Sequence, residues 1–474
     1  MIIFIIVLQI IISFLTYEQT LTFDEAIWQY IGRNWIRHGL VPYSGGVDNK
    51  SPLVFAVYGL SDKLFGVNYW FPRLLGICFQ SIGLYYVYKI GRHVASARTG
   101  FLALTLYGFS ILWHSTGGKF VSYTESYAVV FIIMAIYYII SAEQNYSYFL
   151  SGILAGLGFM FRISAFFGLL AILTYLLLMK KNKIFIFLIG LLGSVFIIGT
   201  LLSLAGIRLH DIFIFALSDN FGPGSVTDHS LSWKLNNFFN HFFYSELVLF
   251  SPGLIGYFFI KKKNDIFLLW FICEFIGILI PGIFSLQHVK SLLPSLSLMS
   301  AFSIAWLLEI YSLPLRQTMI VVWICFFPKL VEPIVSFKNL VGFPKKDTID
   351  EKSDWNIQEG DYTKKLLGLW IKSNTVPDTR VFIAGFAAIA QAYSERRSPS
   401  IYFNVTQTQL AKKIFFKEMN LNKPEMICVP AFPGYYVNVD PDIRSFINQM
   451  TGLQYDLKRN MYGYSIYLKK NSPK

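Results

Sequence analysis

What most limits the fold of this chain is a succession of long apolar stretches. After Met1–Thr16 come Phe71–Tyr88, Gly100–Trp113, Glu125–Ile140, Tyr148–Phe161, Ser164–Met179, Ile184–Ala205, Glu246–Ile260, Asp265–Phe284, Leu292–Leu308 and Thr318–Val335. A helix that crosses a bilayer needs about 20 mostly apolar residues, so the pattern predicts a polytopic α-helical membrane protein of about eleven transmembrane helices, several of them short. Composition agrees: 54% of residues are hydrophobic and 15% charged, with a mean hydropathy of +0.49. That exceeds the apolar share of a soluble domain. The formal charge of +13 would suggest nucleic acid in a soluble protein. Here the basic residues punctuate apolar runs, as topology signals do, which argues against nucleic acid. Cys78, Cys273, Cys325 and Cys428 show no metal-ligand spacing, so neither a disulfide framework nor a zinc site is indicated. Met1–Thr16 has no basic leader and no small-residue cleavage site; it reads as a first short span rather than a signal peptide.

Orientation follows from Lys and Arg in short loops. The clusters are Lys89, Arg92 and Arg98; Lys180, Lys181 and Lys183; Lys261, Lys262 and Lys263; and Arg316. With an odd number of spans and the first loop outside, all four fall inside. Reading Tyr148–Met179 as one tilted helix would put the two triple-lysine clusters on opposite sides. Two spans broken at Arg162 are therefore preferred. This topology places the loop 17–70, the Gly206–Ser245 loop, the Gln287–Lys290 turn and the C-terminal region outside.

Near Ser336 the composition changes. The division expected is a membrane domain over 1–335, a polar linker over 336–361 and an extracytoplasmic α/β domain over 362–474. Strands are expected at Arg380–Ala384, Met426–Val429, Leu453–Leu457 and Tyr464–Leu468, and helices at Phe386–Tyr393, Gln407–Met419 and Pro441–Met450.

The first outer loop is the most chemically loaded part: TFDEAIWQYIGRNWIRHGLVPYSGGVDNKSPL, from Thr22 to Leu53. Glu25–His38 has helical character, so Thr22 or Asp24 is placed to cap its start. Asp24 is then either a cap or a general base beside the membrane that takes a proton from an acceptor hydroxyl. Asp48 lies on the loop's second arm, before Lys50 and Pro52; it is either functional or a turn residue of VDNKSP, and the turn is the reading for Asn49 and Ser51. Ionisable groups in or at apolar spans are functional suspects. These are Arg73 in FPRLLG, Glu125 in TESYAVV, Arg162 in GLGFMFRISAFFG, and His288 and Lys290 in SLQHVKSLLPSL. The topology collects them at the membrane face that carries Asp24 and Asp48. Single Arg or Lys residues there could be interfacial anchors. Several cations together suit a phosphate that gains charge as a bond breaks.

The order of these parts resembles the polytopic C-type glycosyltransferases that use polyprenyl-phosphate sugars. These include the dolichyl-phosphate-mannose protein mannosyltransferases and the lipid A aminoarabinose transferases. The matching segments are FDEAIWQYIGRNWIRHGLVPY, DNKSPL, FPRLLG, TESY, GLGFMFR and HVKSLLPSLSL, and the likeness covers about Met1 to Val335. RVFIAGFAAIAQAYSERRSPSIYF and KPEMICVP are similar to the outer domain of bacterial members. The resemblance implies that Asp24 is the catalytic carboxylate and that Asp48 or Lys50 makes polar contacts. It also implies that Arg73, Arg162 and either His288 or Lys290 contact the lipid phosphate. Arg162 stands where many members have Lys, which keeps the charge but changes the contact geometry. HVKSLLP departs from the common HY pattern.

The expectation is an inverting glycosyltransferase of the bacterial inner membrane. It would move a sugar from a polyprenyl-phosphate donor to an envelope glycan, lipid or protein hydroxyl. The chemistry requires no cofactor, although two carboxylates could hold a divalent metal. The alternatives are a transporter or flippase for a lipid-linked anion, and an envelope scaffold. A transporter should show inverted repeats or paired broken helices, and the sequence has neither convincingly.

Overall fold

A computed structural model describes residues 2–15, 20–113, 122–218, 229–240, 248–260, 265–284, 286–310, 314, 317, 361–385, 387–404, 408–431 and 441–470. The expected span Thr318–Val335, the linker over 336–360, the Lys261–Lys263 cluster and Arg316 lie outside the described residues.

In chain order the longer α-helices are α1 (Ile2–Leu15), α2 (Phe23–His38), α3 (Pro52–Phe65), α4 (Trp70–Val94), α5 (Ala97–Trp113), α6 (Thr124–Ile140), α7 (Asn145–Phe161), α8 (Phe166–Met179) and α9 (Ile184–Leu204). They continue with α10 (Leu231–Asn237), α11 (Val248–Phe259), α12 (Asp265–Leu279), α13 (Leu293–Ile310), α14 (Asp361–Asn374), α15 (Ala388–Ser394), α16 (Gln409–Leu421) and α17 (Pro441–Gln454). The strands are β1 (Val381–Ile383), β2 (Met426–Pro430), β3 (Tyr455–Met461) and β4 (Tyr464–Lys469).

Most apolar stretches become helices within a few residues of the expected ends. Where they differ the cause is local. The span expected over Asp265–Phe284 stops at Leu279, because Pro281 cannot continue a helix and Gly282 takes φ +65°. α4 runs past Tyr88 to Val94, and Arg92 and His93 in its last turn complement the helix dipole. The strand expected from Leu453 begins at Tyr455, because α17 extends to Gln454. α3 and α14 have no counterpart among the expected elements. α3 opens with proline just inside its N-terminus, where the missing N–H costs nothing.

The chain groups into two compact units that do not follow chain order. One contains residues 1–16, 73–201 and 229–341; the other contains 17–72, 202–228 and 342–474.

The first unit is a helical body around one apolar cluster whose buried members include Leu84, Leu106, Ile136, Ile172, Trp270 and Met299. α7 and α9 approach through small residues. A Cβ on Gly152 would collide with the Phe187 carbonyl, and one on Gly190 with the Phe149 carbonyl. Such contacts let apolar helices pack closely where burial of apolar surface gives little drive. α9, with the turn before it, and α13 are both long and apolar enough to cross a membrane. Only 22% of the first is buried against 72% of the second, so α9 offers its apolar surface outward and α13 is interior. Between α7 and α8 the helix breaks at Arg162, whose backbone is extended (φ −154°, ψ 119°), and the chain resumes through a 3₁₀ turn, Ile163–Ala165.

The second unit carries a four-stranded sheet of order β1-β2-β4-β3. β1 and β2 are parallel, and the remaining pairs are antiparallel. Apolar clusters form on both sides of the sheet, one around Ile427, Phe415 and Ile447 and the other around Cys428, Leu367 and Ile466. That division follows the alternation of side chains along β2. α2 and α3 also belong to this unit and cross at Gly32 and Gly59, where a Cβ on either would strike the other helix's backbone.

Candidate functional site

In the second unit, Thr22 is the N-cap of α2, and its backbone N–H donates to Glu25 Oε2 at 2.9 Å. Glu25 is thus the reciprocal partner of the cap. Asp24 occupies the first turn, half-buried, and is not the cap residue. A carboxylate there is favoured by the helix dipole. Asp48 accepts from the Trp28 indole N–H at 2.9 Å, which ties the loop's second arm to α2. Trp28 meets Tyr58 of α3 edge-on, with ring centroids 5.4 Å apart, and the Tyr58 hydroxyl donates to Glu25 at 3.3 Å. Lys50 donates to Asn49 Oδ1 at 2.6 Å, and the Tyr43 hydroxyl donates to the Lys50 carbonyl at 2.6 Å. Burial, with the charges of Asp48 and Asp211 adding, pushes the Tyr43 hydroxyl well above the ordinary tyrosine range, so it serves as a hydrogen-bond donor.

This loop is held by partners far away in sequence. Arg33 donates to Asp62 Oδ2 through Nε and Nη2, at 3.0 and 2.6 Å, and through Nη1 to the Ala392 carbonyl at 2.8 Å. Gln29 donates to the same Asp62 oxygen at 2.9 Å. Tyr30 accepts from the Ser398 N–H at 2.8 Å and packs on Phe403. The Leu21 N–H donates to the Tyr393 hydroxyl at 3.3 Å, and the Val47 N–H to the Ile401 carbonyl at 3.0 Å. Sequence reasoning did not single out Asp62. Its signal was a carboxylate near the end of the largely apolar stretch PLVFAVYGLSDKLF.

In the first unit, the Arg162 guanidinium lies 2.7 Å from Glu125 Oε1. The helix break exposes this arginine to a small cavity of about 50 Å³ lined by Arg162, Ser164, Glu274, His288 and Ser291, with Phe167, Ile278 and Pro281 among its apolar walls. Arg162 and His288 thus meet at one cavity. Lys290 is buried and sits 5.5 Å from the Tyr123 ring centre, and Gln287 donates to the Tyr123 hydroxyl at 3.3 Å. Lys290 does not line that cavity. Arg73 is buried in the first turn of α4. Glu274 was missed by sequence reasoning, although a carboxyl inside the run WFICEF is the same kind of signal as Arg162. Among the described residues, no group of three or more His, Cys, Asp or Glu side chains is placed to hold a metal ion.

The family model described as dolichyl-phosphate-mannose-protein mannosyltransferase matches residues 49–203. No curated protein sequence matches the chain significantly. Among solved structures, ArnT from Cupriavidus metallidurans in the apo state superposes with a TM-score of 0.62 at 10% identity, over 98% of this chain and 97% of that one. The fold is that of the C-type glycosyltransferases. The Archaeoglobus fulgidus oligosaccharyltransferase AglB, in complex with an inhibitory peptide and a dolichol-phosphate, shares the C-type fold with a TM-score of 0.58 at 11% identity. That likeness covers 99% of this chain and 74% of the archaeal one.

Proposed function

We propose that this protein is an inverting glycosyltransferase that moves a hexose or pentose from a polyprenyl-phosphate donor to a hydroxyl on an envelope glycan, lipid or protein. The observation that carries the reading is a likeness to C-type transferases along nearly the whole chain. Arg162 and His288 at one cavity support it. The matched family is described by a dolichyl-phosphate-linked sugar, and the archaeal relative was solved with dolichol-phosphate.

In this reading Asp24 takes the proton of the acceptor hydroxyl as its oxygen attacks the anomeric carbon. The bond from that carbon to the phosphate oxygen breaks, and polyprenyl phosphate leaves with the electron pair. Arg73, Arg162 and His288 or Lys290 stabilise the leaving phosphate, with Glu125 orienting Arg162. Asp48 and Lys50 position the acceptor. The leaving group carries its own charge, so the chemistry requires no metal; a divalent ion held by Asp24 or Asp48 would be an accessory. The protein would sit in a bacterial inner membrane with its sheet-bearing domain outside. No observation favours the transporter reading.

The test uses purified protein in lipid nanodiscs, a polyprenyl-phosphate sugar and a hydroxyl acceptor. Release of sugar-free polyprenyl phosphate together with an inverted glycosidic product is expected. Donor carried across the bilayer with its sugar still attached would replace this reading with transport.

A further inference from the structure

Tyr43, in the loop between α2 and α3, has a left-handed backbone (φ 69°). That conformation is costly for a bulky side chain and persists only where the surroundings fix it, as they often do near functional sites. Two other left-handed side chains have local reasons. Glu395 follows the end of α15, and Tyr462 sits in the two-residue turn between β3 and β4. Tyr43 holds neither kind of position.

Contacts from three directions fix it. Its N–H donates to the Gly46 carbonyl at 2.9 Å, closing the turn. Its buried ring stacks on Phe215, with centroids 5.7 Å apart and planes 15° from parallel, and meets Phe55 of α3 edge-on at 6.2 Å. Its hydroxyl donates to the Lys50 carbonyl at 2.6 Å. Phe215 lies on a π-helical turn, Ile212–Leu217, and packs against the apolar cluster that includes Phe415 and Ile427. Turns of that kind are rare and recur at functional sites. The Tyr43 ring thus links the main chain at Lys50 to an apolar core built from distant parts of the chain. Asp48 has its own tie, to the Trp28 indole at 2.9 Å. The Lys50 amine bonds its neighbour Asn49, a local contact that does not fix where the pair stands.

We propose that Tyr43 is a positioning residue for acceptor binding: Phe215 holds its ring, and its hydroxyl sets where Lys50 meets the acceptor. The proposal rests on the transferase reading and deepens it. Asp24 stands on α2, Arg73 on α4 and Arg162 after α7. A shift at Lys50 is therefore felt in acceptor binding and not in donor binding.

The test compares wild type, Tyr43→Phe, Phe215→Leu, Lys50→Ala and the double variant Tyr43→Phe with Lys50→Ala, all in nanodiscs. Polyprenyl-phosphate hexoses and pentoses serve as donors, and the glycolipid and glycan fraction extracted from the host cell envelope serves as acceptor. Tyr43→Phe keeps the ring and its stacking and removes one hydrogen bond. Its acceptor KM should rise about two- to ten-fold, the range for a single neutral hydrogen bond, while kcat and the donor KM stay as in wild type. Phe215→Leu, which frees the ring and leaves the hydroxyl in place, should raise the acceptor KM in the same way. In the Lys50→Ala background, Tyr43→Phe should add no further rise, because the group it positions is gone. An unchanged acceptor KM in folded Tyr43→Phe, an equal rise in the donor KM, a fall in kcat alone, or a full further loss in the Lys50→Ala background each overturns the assignment and leaves the transferase reading standing. Wild type that transfers no sugar to any component of the fraction overturns the transferase reading and the assignment with it.

Discussion

Arg162 and Glu125 form an ion pair of 2.7 Å between the break after α7 and the first turn of α6. Their side chains are 17% and 5% exposed, so removing one partner strands the other away from water. Arg162→Ala is expected to destabilise the helical body by about 3–5 kcal/mol. Arg162→Ala with Glu125→Ala should cost less than the two single changes added together. Thermal unfolding of the three variants checks this; strictly additive losses would mean the pair is not coupled.

Asp62 is 1% exposed and receives Arg33, Gln29 and Arg37. Asp62→Ala should cost about 3–5 kcal/mol, because it leaves the buried Arg33 charge without its carboxylate. The Arg37 side chain is 41% exposed, so Arg37→Ala should cost no more than about 1 kcal/mol. Limited proteolysis of the loop 17–72 reads the difference. Equal sensitivity of both variants would show that burial does not set the hierarchy.

Thr22, not Asp24, caps α2. Thr22→Ala should therefore cost about 1 kcal/mol of stability. Asp24→Asn should leave the helix intact and lower sugar transfer by roughly a hundred-fold or more, the contribution of a general base. Donor binding should persist, because the base acts on the acceptor. A folded Asp24→Asn protein that turns over at the wild-type rate would move the base to another carboxylate, with Asp48 the next to test.

Cys428 lies in β2 with no exposed surface, and burial pushes its thiol far above the usual cysteine range. The thiolate is the reactive form, so a maleimide should leave Cys428 unmodified at about pH 8 in the native protein. Denaturant should make it react. Mass analysis of the labelled peptide reports whether the sheet is folded in each variant above; rapid native labelling would contradict the core packing.

The helical body was legible because hydropathy is additive over a short window. Glu125 and Arg162 drew notice because charge interrupts apolar sequence. By the same rule Glu274 could have been found, but no local pattern connects it with His288. The strand runs around Val381, Met426 and Tyr464 were legible from β-rich composition, whereas α14 follows a polar stretch whose composition reads as linker.

Sequence alone determined that most of this chain must be apolar helix and that a polar loop follows the first such segment. It also determined that a β-containing region closes the chain. Tertiary structure decided which residue caps α2, which anion holds Arg33, and that Arg162, Glu274 and His288 share a cavity. It also decided that the loop 17–72 and the last third of the chain form one compact unit, joined by bonds such as Arg33 to the Ala392 carbonyl. The reason is physical. Hydropathy and helix propensity depend on neighbours a few residues away, whereas the partner of a buried charge is chosen by whichever backbone or side chain packing brings within about 3 Å, however distant in sequence.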